Sequence, residues 1–238
     1  MNFSSVPFLF LLQIAFWLWL TRTAYARRQL TKAQAMSIIT WLVMLITWGF
    51  VTSALSIYGV YTLPGFLRLL PGFWLPLIPM LLSAGLYVTW STFRESIQQV
   101  VAETPPQTFT LIQALRIAAI GGLYKATQGL MPTTFVFVVG IPDLLYGISA
   151  LVLAITDRFK PVNARLLGIW NLVGIAIIVM TAPFAMQMSL PGPLYIFQNL
   201  PDGQALLAFP MVLAPTLVVP FFITINAIVA NHLLRKRL

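Results

Sequence analysis

The chain has 238 residues, 59% of them hydrophobic and only 8% charged, with a mean hydropathy of +0.90. Soluble domains carry about 25% charged residues, so this composition excludes a mainly water-facing surface and predicts an integral membrane protein. With no cysteine and one histidine, His232, it also excludes disulfides, thiolate nucleophiles, iron–sulfur clusters and multi-histidine haem or di-iron sites. No cofactor and no metal site is expected.

A helix needs about 20 predominantly apolar residues to cross the hydrocarbon core, and seven segments meet that description: 5–20, 36–61, 73–93, 108–128, 135–156, 165–187 and 205–232. The expected fold is therefore all-α, one domain over 1–238, a bundle of seven transmembrane helices. The first segment is short, and Ala24-Tyr25-Ala26 after it has the small-x-small look of a cleavage site. Its N-terminal flank has no basic residue, however, and arginines follow it, which predicts a retained helix with its N-terminus outside. The 94–107 connection reads as a short loop with amphipathic character. The fourth segment carries Arg116 and Lys125 and depends on the charge count for support.

Lys and Arg accumulate in cytoplasmic loops. With seven spans, eleven of the 14 basic residues fall on one side: Arg22, Arg27, Arg28, Lys32, Arg94, Arg158, Lys160, Arg165, Arg235, Lys236 and Arg237. The opposite side holds Arg68, joined by Lys125 if that residue is assigned to the edge of its helix. The asymmetry predicts N-terminus out and C-terminus in. The net charge of +9 then records topology and contact with anionic headgroups, and no nucleic-acid partner is expected. Membrane lipids are the expected partners, with a small ligand or ion, or a membrane protein, as further possibilities.

Proline and glycine mark the outer connections in Leu63-Pro64-Gly65-Phe66, Leu70-Pro71-Gly72-Phe73 and Leu190-Pro191-Gly192-Pro193. Such backbone cannot lie unpaired in lipid, so these stretches are expected as interfacial turns or as a lid over the bundle. Pro76 and Pro79, and then Pro210, Pro215 and Pro220, predict kinked helices. The seven tryptophans read as interfacial anchors and packing, and not as a stacking site.

Charges inside a membrane cost about 2.5–3.5 kcal/mol each on insertion scales, which singles out Arg116, Lys125 and Asp143. By helix rise, Arg116 lies roughly 12 Å from the inner end of the fourth segment and Asp143 roughly 12 Å from the outer end of the fifth. In a core about 30 Å thick their depths differ by about 6 Å, with Lys125 about 7 Å further out than Asp143. A pair or triad around Asp143 is expected, with Asn171 and Asn226 as neutral hydrogen-bonding partners and Gly121, Gly122, Gly140 and Gly147 allowing close backbone approach. Either the charges of Arg116 and Asp143 only lock two helices together, with Lys125 snorkelling to the outer headgroups, or the uncompensated positive charge of the triad receives an anionic ligand or forms part of a proton-linked switch.

Two enzyme readings fail on geometry. Gly147-Ile148-Ser149-Ala150 with His232 suggests an intramembrane serine protease, but the two side chains fall at depths roughly 10 Å or more apart, and nucleophile and base must meet within about 3 Å. A retinal protein needs a lysine in its last span, and 205–232 has none. No catalytic residue is expected.

Over the C-terminal half the chain resembles a group of uncharacterised small bacterial integral membrane proteins. The resemblance is carried by Arg116, by Gly129-Leu130-Met131-Pro132, by Gly140-Ile141-Pro142-Asp143-Leu144-Leu145-Tyr146-Gly147-Ile148-Ser149-Ala150, by Trp170-Asn171-Leu172-Val173-Gly174 and by Pro215-Thr216-Leu217-Val218-Val219-Pro220. It implies a bacterial inner-membrane protein and draws attention to Arg116, Asp143 and Asn171, without implying a substrate. The chain departs from that pattern at Pro142, where the group often has glycine, and in lacking a second acidic residue over 174–178. It also departs at Asn226, where the group often has histidine.

Overall fold

The computed structural model describes residues 4–157, 159–198 and 200–235, which leaves Arg158, Lys236 and Arg237 of the charge count outside the described residues. The main helices are α1 (Val6–Ala26), α2 (Lys32–Ile57), α3 (Pro71–Thr89), α4 (Ser91–Glu103), α5 (Pro106–Gln113), α6 (Ile120–Thr127), α7 (Thr133–Thr156), α8 (Ala164–Ser189) and α9 (Ala214–Arg235). No strand occurs among the described residues. Six of the nine, α1, α2, α3, α7, α8 and α9, are long and apolar enough to cross a membrane, the mark of an integral membrane protein. Phe50, Val88 and Met180 are among many large apolar side chains left exposed on them, as a lipid-facing surface requires.

Local signals set several of the helix ends. Thr31 caps α2 in a reciprocal box, its hydroxyl accepting from the Gln34 backbone N–H while the Gln34 side chain accepts from the Thr31 N–H; such a cap contributes about 1 kcal/mol. Asn163 caps α8 by accepting from the Arg165 N–H. At the end of α3 the helix breaks at Trp90, and Arg94 donates to the freed carbonyl of Val88.

Two expectations are corrected here. The 94–107 stretch is largely α4, a helix and not a loop. Phe93, Ile97, Val100 and Val101 recur at helical spacing and are buried, and Ser96 meets Ser37 of α2 at 3.1 Å. The last segment does not begin at Ala205: a short turn, Gln204–Leu207, precedes an irregular stretch, and α9 starts at Ala214. The expected fourth span is not among the six long apolar helices. It is an unbroken helical run over 106–127, α5 and α6 joined by a 3₁₀ stretch, Ala114–Ala119, that carries Arg116.

α9 is the centre of the bundle, buried over most of its length while each of the other five long helices buries less than half. Towards one end, Trp17, Trp41, Phe93, Phe109 and Phe221 interlock, with the Trp41 ring 5.3 Å from both Trp17 and Phe221. The loop ends sort into two groups. Gln29 donates to Glu103, and a Cβ at Gly168 would meet Leu234 at 2.9 Å, so the connections rich in Lys and Arg lie together with the end of α9. At the other end Ser56 donates to the Leu207 carbonyl and Gly72 N–H to Gln187 Oε1. Here Tyr61, Leu67, Leu75, Leu190 and Leu207 are buried and anchor the outer connections; Pro71 and Gly72 are packed into the bundle, while Pro64, Gly65, Gly192 and Pro193 are exposed. Gly72 is obligatory in that packing, because a Cβ there would lie 2.7 Å from the Gln187 backbone nitrogen.

The prolines do more than kink. A proline in a helix offers no N–H to the carbonyl four residues earlier and crowds it. In α7 and α9 the same response is seen: a π turn centred on that carbonyl, Val136–Gly140 before Pro142 and Ala214–Val218 before Pro220. The carbonyl that Pro220 cannot serve belongs to Thr216, and the Trp48 indole donates to it at 3.0 Å. Gln13 donates to the next but one, Val218, at 3.1 Å. Replacing Trp48 by Phe should therefore destabilise the protein by about 1–3 kcal/mol, the cost of a buried unmet acceptor, while Trp19→Phe on the exposed face of α1 should change little. Thermal unfolding in detergent compares the two, and equal melting temperatures would refute the role given to Trp48.

Candidate functional site: a buried charge pair beneath an apolar cavity

The close approach of two backbones places the site. Gly147 of α7 packs against the 3₁₀ stretch so tightly that a Cβ would lie 2.6 Å from the Ile117 nitrogen and 2.9 Å from the Arg116 carbonyl carbon. Arg116 is thereby set beside the first turns of α7 beyond the π turn, where Asp143 and Tyr146 stand. Its Nε donates to Asp143 Oδ1 at 2.5 Å, its Nη2 reaches the Gly174 carbonyl of α8 at 3.5 Å, and its guanidinium lies 4.2 Å from the centre of the Tyr146 ring. The Arg116 side chain is 1% exposed and that of Asp143 17%. An ion pair, a carbonyl contact and a cation–π contact together offset the removal of the arginine from water. The remaining Nη1 has no hydrogen-bond partner.

Tyr146 ties this centre to α8. Its ring stacks on Trp170 at 4.3 Å and 11°, and its hydroxyl donates to the Trp170 carbonyl at 3.3 Å. The Trp170 indole in turn donates to Ser149 Oγ at 3.0 Å, and that hydroxyl donates to the Tyr146 carbonyl. Ser149 is thus engaged within the α7–α8 contact. His232 lies at the basic end, in a separate cavity of about 580 Å³ lined also by Tyr87, Glu95, Gln98 and Arg235.

The expected residues separate into those brought together and those not. Arg116 and Asp143 form the pair that their depths suggested. Lys125 does not complete a triad: its Nζ turns to Met211 Sδ at 3.5 Å. Asn226 is fully buried beside the pair, its amide and the Tyr146 hydroxyl both within 2.6 Å of where a Gly174 Cβ would be. Asn171, also buried, donates to the Leu167 carbonyl of its own helix at 2.8 Å. Of the four glycines expected to permit close approach, only Gly147 does so. A Cβ at Gly122 would meet nothing within 4 Å, and at Gly121 and Gly140 the nearest atoms are 4.0 and 3.5 Å away. Three further residues contribute to the site: Tyr146 and Gly174, which carry no charge to mark them in the sequence, and Trp170, which stacks on Tyr146 where the tryptophans are expected only as anchors and packing. The i, i+3 spacing of Asp143 and Tyr146 on one helix face was the available signal.

Above the pair lies a cavity of about 670 Å³. Gly121, Gly122, Gly140, Lys125, Arg116 and Asp143 border it, and the rest of its wall is almost wholly apolar. The Ala114–Ala119 3₁₀ stretch and both π turns contribute to that wall. Pockets of about 300–1,000 Å³ with few polar groups are the usual form of small-ligand sites. Among the described residues no three His, Asp or Glu are grouped to hold a metal ion.

Fold and site together define an all-α integral membrane protein with a charge pair buried among its helices. Residues 72–234 match the family model described as Domain of unknown function (DUF8737), and the chain belongs to that family. No curated protein and no solved structure matches it.

Breaking a buried pair by removing one partner costs about 3–5 kcal/mol, whereas removing both can be nearly neutral. Asp143→Asn and Arg116→Met should each lower thermal stability sharply, and the double variant should recover much of the loss. A double variant as unstable as the sum of the two would show that the pair does not act as a unit.

Proposed function

We propose that the protein is a non-enzymatic, multi-pass protein of the bacterial inner membrane that binds or translocates a small ligand, ion or lipid in the cavity above Arg116 and Asp143. Seven segments cross, the seventh being the 106–127 run. That run is about 33 Å long at helical rise. It leads from Phe109, in ring contact with Trp17 and Phe16 near the inner aromatic cluster, to Lys125 at the end where Ser4 lies. The N-terminus is outside and the C-terminus inside, because the loops rich in Lys and Arg gather at the end of α9.

The observation that carries the binding reading is the cavity itself: an apolar space that reaches a buried ion pair and an unmatched cation. A pair that only pinned two helices would be stable without any such space. The second reading, an accessory subunit of a membrane complex with no ligand of its own, draws support from the pair being neutral as it stands and from Asn171 being bonded within its own helix.

The absence of native cysteine makes single-cysteine labelling clean. Gly121→Cys, on the cavity wall, should react with a membrane-impermeant maleimide added outside intact cells, and Gln98→Cys, in the polar cavity at the basic end, only after permeabilisation. The reverse pattern would overturn the orientation. Gly121→Cys that stays unreactive from both sides would mean a closed cavity and favour the accessory reading.

A further inference from the structure

The mouth of the cavity has its own chemistry. Lys125 Nζ and Ser4 Oγ, from opposite parts of the chain, both donate to one atom, Met211 Sδ, at 3.5 and 3.3 Å. A thioether sulfur is a weak acceptor, so an ammonium and a hydroxyl converge on a point where the partner present is a poor one for either. An oxyanion at that point would receive a charge-assisted hydrogen bond from the lysine and a second from the serine. Among the described residues no acidic side chain forms an ion pair with Lys125, the pair at this site being Arg116 with Asp143.

The body of the cavity speaks against a small, free anion. Lys125 and Arg116 are nine residues apart on one helical run, about 13.5 Å at helical rise, and the cavity wall they share includes Leu115, Gly122, Val139, Ile178 and Val218. At the deep end Arg116 and Asp143 cancel. The site therefore presents one net positive charge at its mouth and a long apolar space behind it. Resting on the cavity reading above, we propose that the ligand is a single-chain amphiphile with one anionic oxygen head, carboxylate or phosphate. The head is held by Lys125 and Ser4, displacing Met211, and the chain extends towards Arg116. Gly122 matters to this ligand because it has no side chain: a Cβ there meets nothing within 4 Å, so a larger residue would take up ligand space without striking the protein.

The test uses the full chain in phosphatidylcholine nanodiscs, with radiolabelled dodecanoate and dodecanol measured by scintillation proximity and empty discs subtracted for partition into lipid. Dodecanoate should bind at least tenfold more tightly than dodecanol. Dodecyl phosphate should compete with it, and the tighter of the two anions identifies the head. Acetate and dodecyltrimethylammonium should not compete. Lys125→Gln should weaken dodecanoate about tenfold or more and leave dodecanol unchanged. Gly122→Leu should abolish binding of both, with thermal unfolding showing that each variant is folded. If dodecanol binds as tightly as dodecanoate and Lys125→Gln changes neither, the anionic head is overturned while the cavity reading stands. If acetate competes as well as dodecanoate, the site takes a small anion and the amphiphile is overturned. If no amphiphile binds above empty discs, the amphiphile is overturned, while the cavity reading stands or falls on the labelling of Gly121→Cys.

Discussion

In hydrocarbon there is no water to complete a broken hydrogen bond, so the backbone N–H and C=O groups of a membrane helix must find their partners inside the protein. Pro142 and Pro220 each withhold an N–H from a carbonyl one turn earlier, and both helices widen into a π turn at that place. The second proline is answered from elsewhere in the chain, by the Trp48 indole on the Thr216 carbonyl. α1 and α2 are thus bound to α9 through the defect in α9, and the side chains that bind them, Gln13 and Trp48, are polar groups that would themselves be costly if left alone.

The same constraint shapes the site. The 3₁₀ stretch at Ala114–Ala119 and the two π turns lie around one cavity, and π turns recur at functional sites in other proteins. A regular helix presents a closed surface of side chains. A widened or narrowed turn shifts the following side chains around the axis, and here it leaves a space that Gly121, Gly122 and Gly140 do not fill. Arg116 sits in the narrowed stretch and Asp143 just past one of the widened ones, so the irregularities that create the cavity also place the charges at its floor.

Within the site, small residues and one tyrosine carry the geometry. Gly147 lets the 3₁₀ backbone approach α7, and Gly174 leaves room for the Tyr146 hydroxyl and the Asn226 amide. Tyr146 then serves both sides, offering its ring to the Arg116 guanidinium and its hydroxyl to the Trp170 carbonyl. Lys125 stands apart from this arrangement, at the mouth beside Ser4 and Met211.

How much of this was legible follows from range. The segment 165–187 reads as a span and lies within α8, and 36–61 coincides with α2 as far as Ile57, because apolar run length is a local property that lipid selects directly. The charge asymmetry was legible for the same reason, and the pairing of Arg116 with Asp143 followed from depth alone, since helix rise converts residue number into height. Height does not give azimuth. Whether Lys125 joins the pair, whether Asn171 faces it or its own helix, and which glycines meet a backbone depend on how each helix is rotated about its axis, and that is decided by packing against neighbours distant in sequence. The amphipathic α4 is not legible as a helix from 94–107 alone, because its apolar face has a partner only once α2 and α9 are in place. By itself the chain determined an apolar, basic, all-α protein with three anomalous charges, Arg116, Lys125 and Asp143, through composition and spacing. Only the tertiary structure decided that the prolines would open π turns, that those turns would surround a cavity, and that one lysine would be left at its mouth. Each of these depends on contacts between residues distant in sequence, which composition and spacing do not specify.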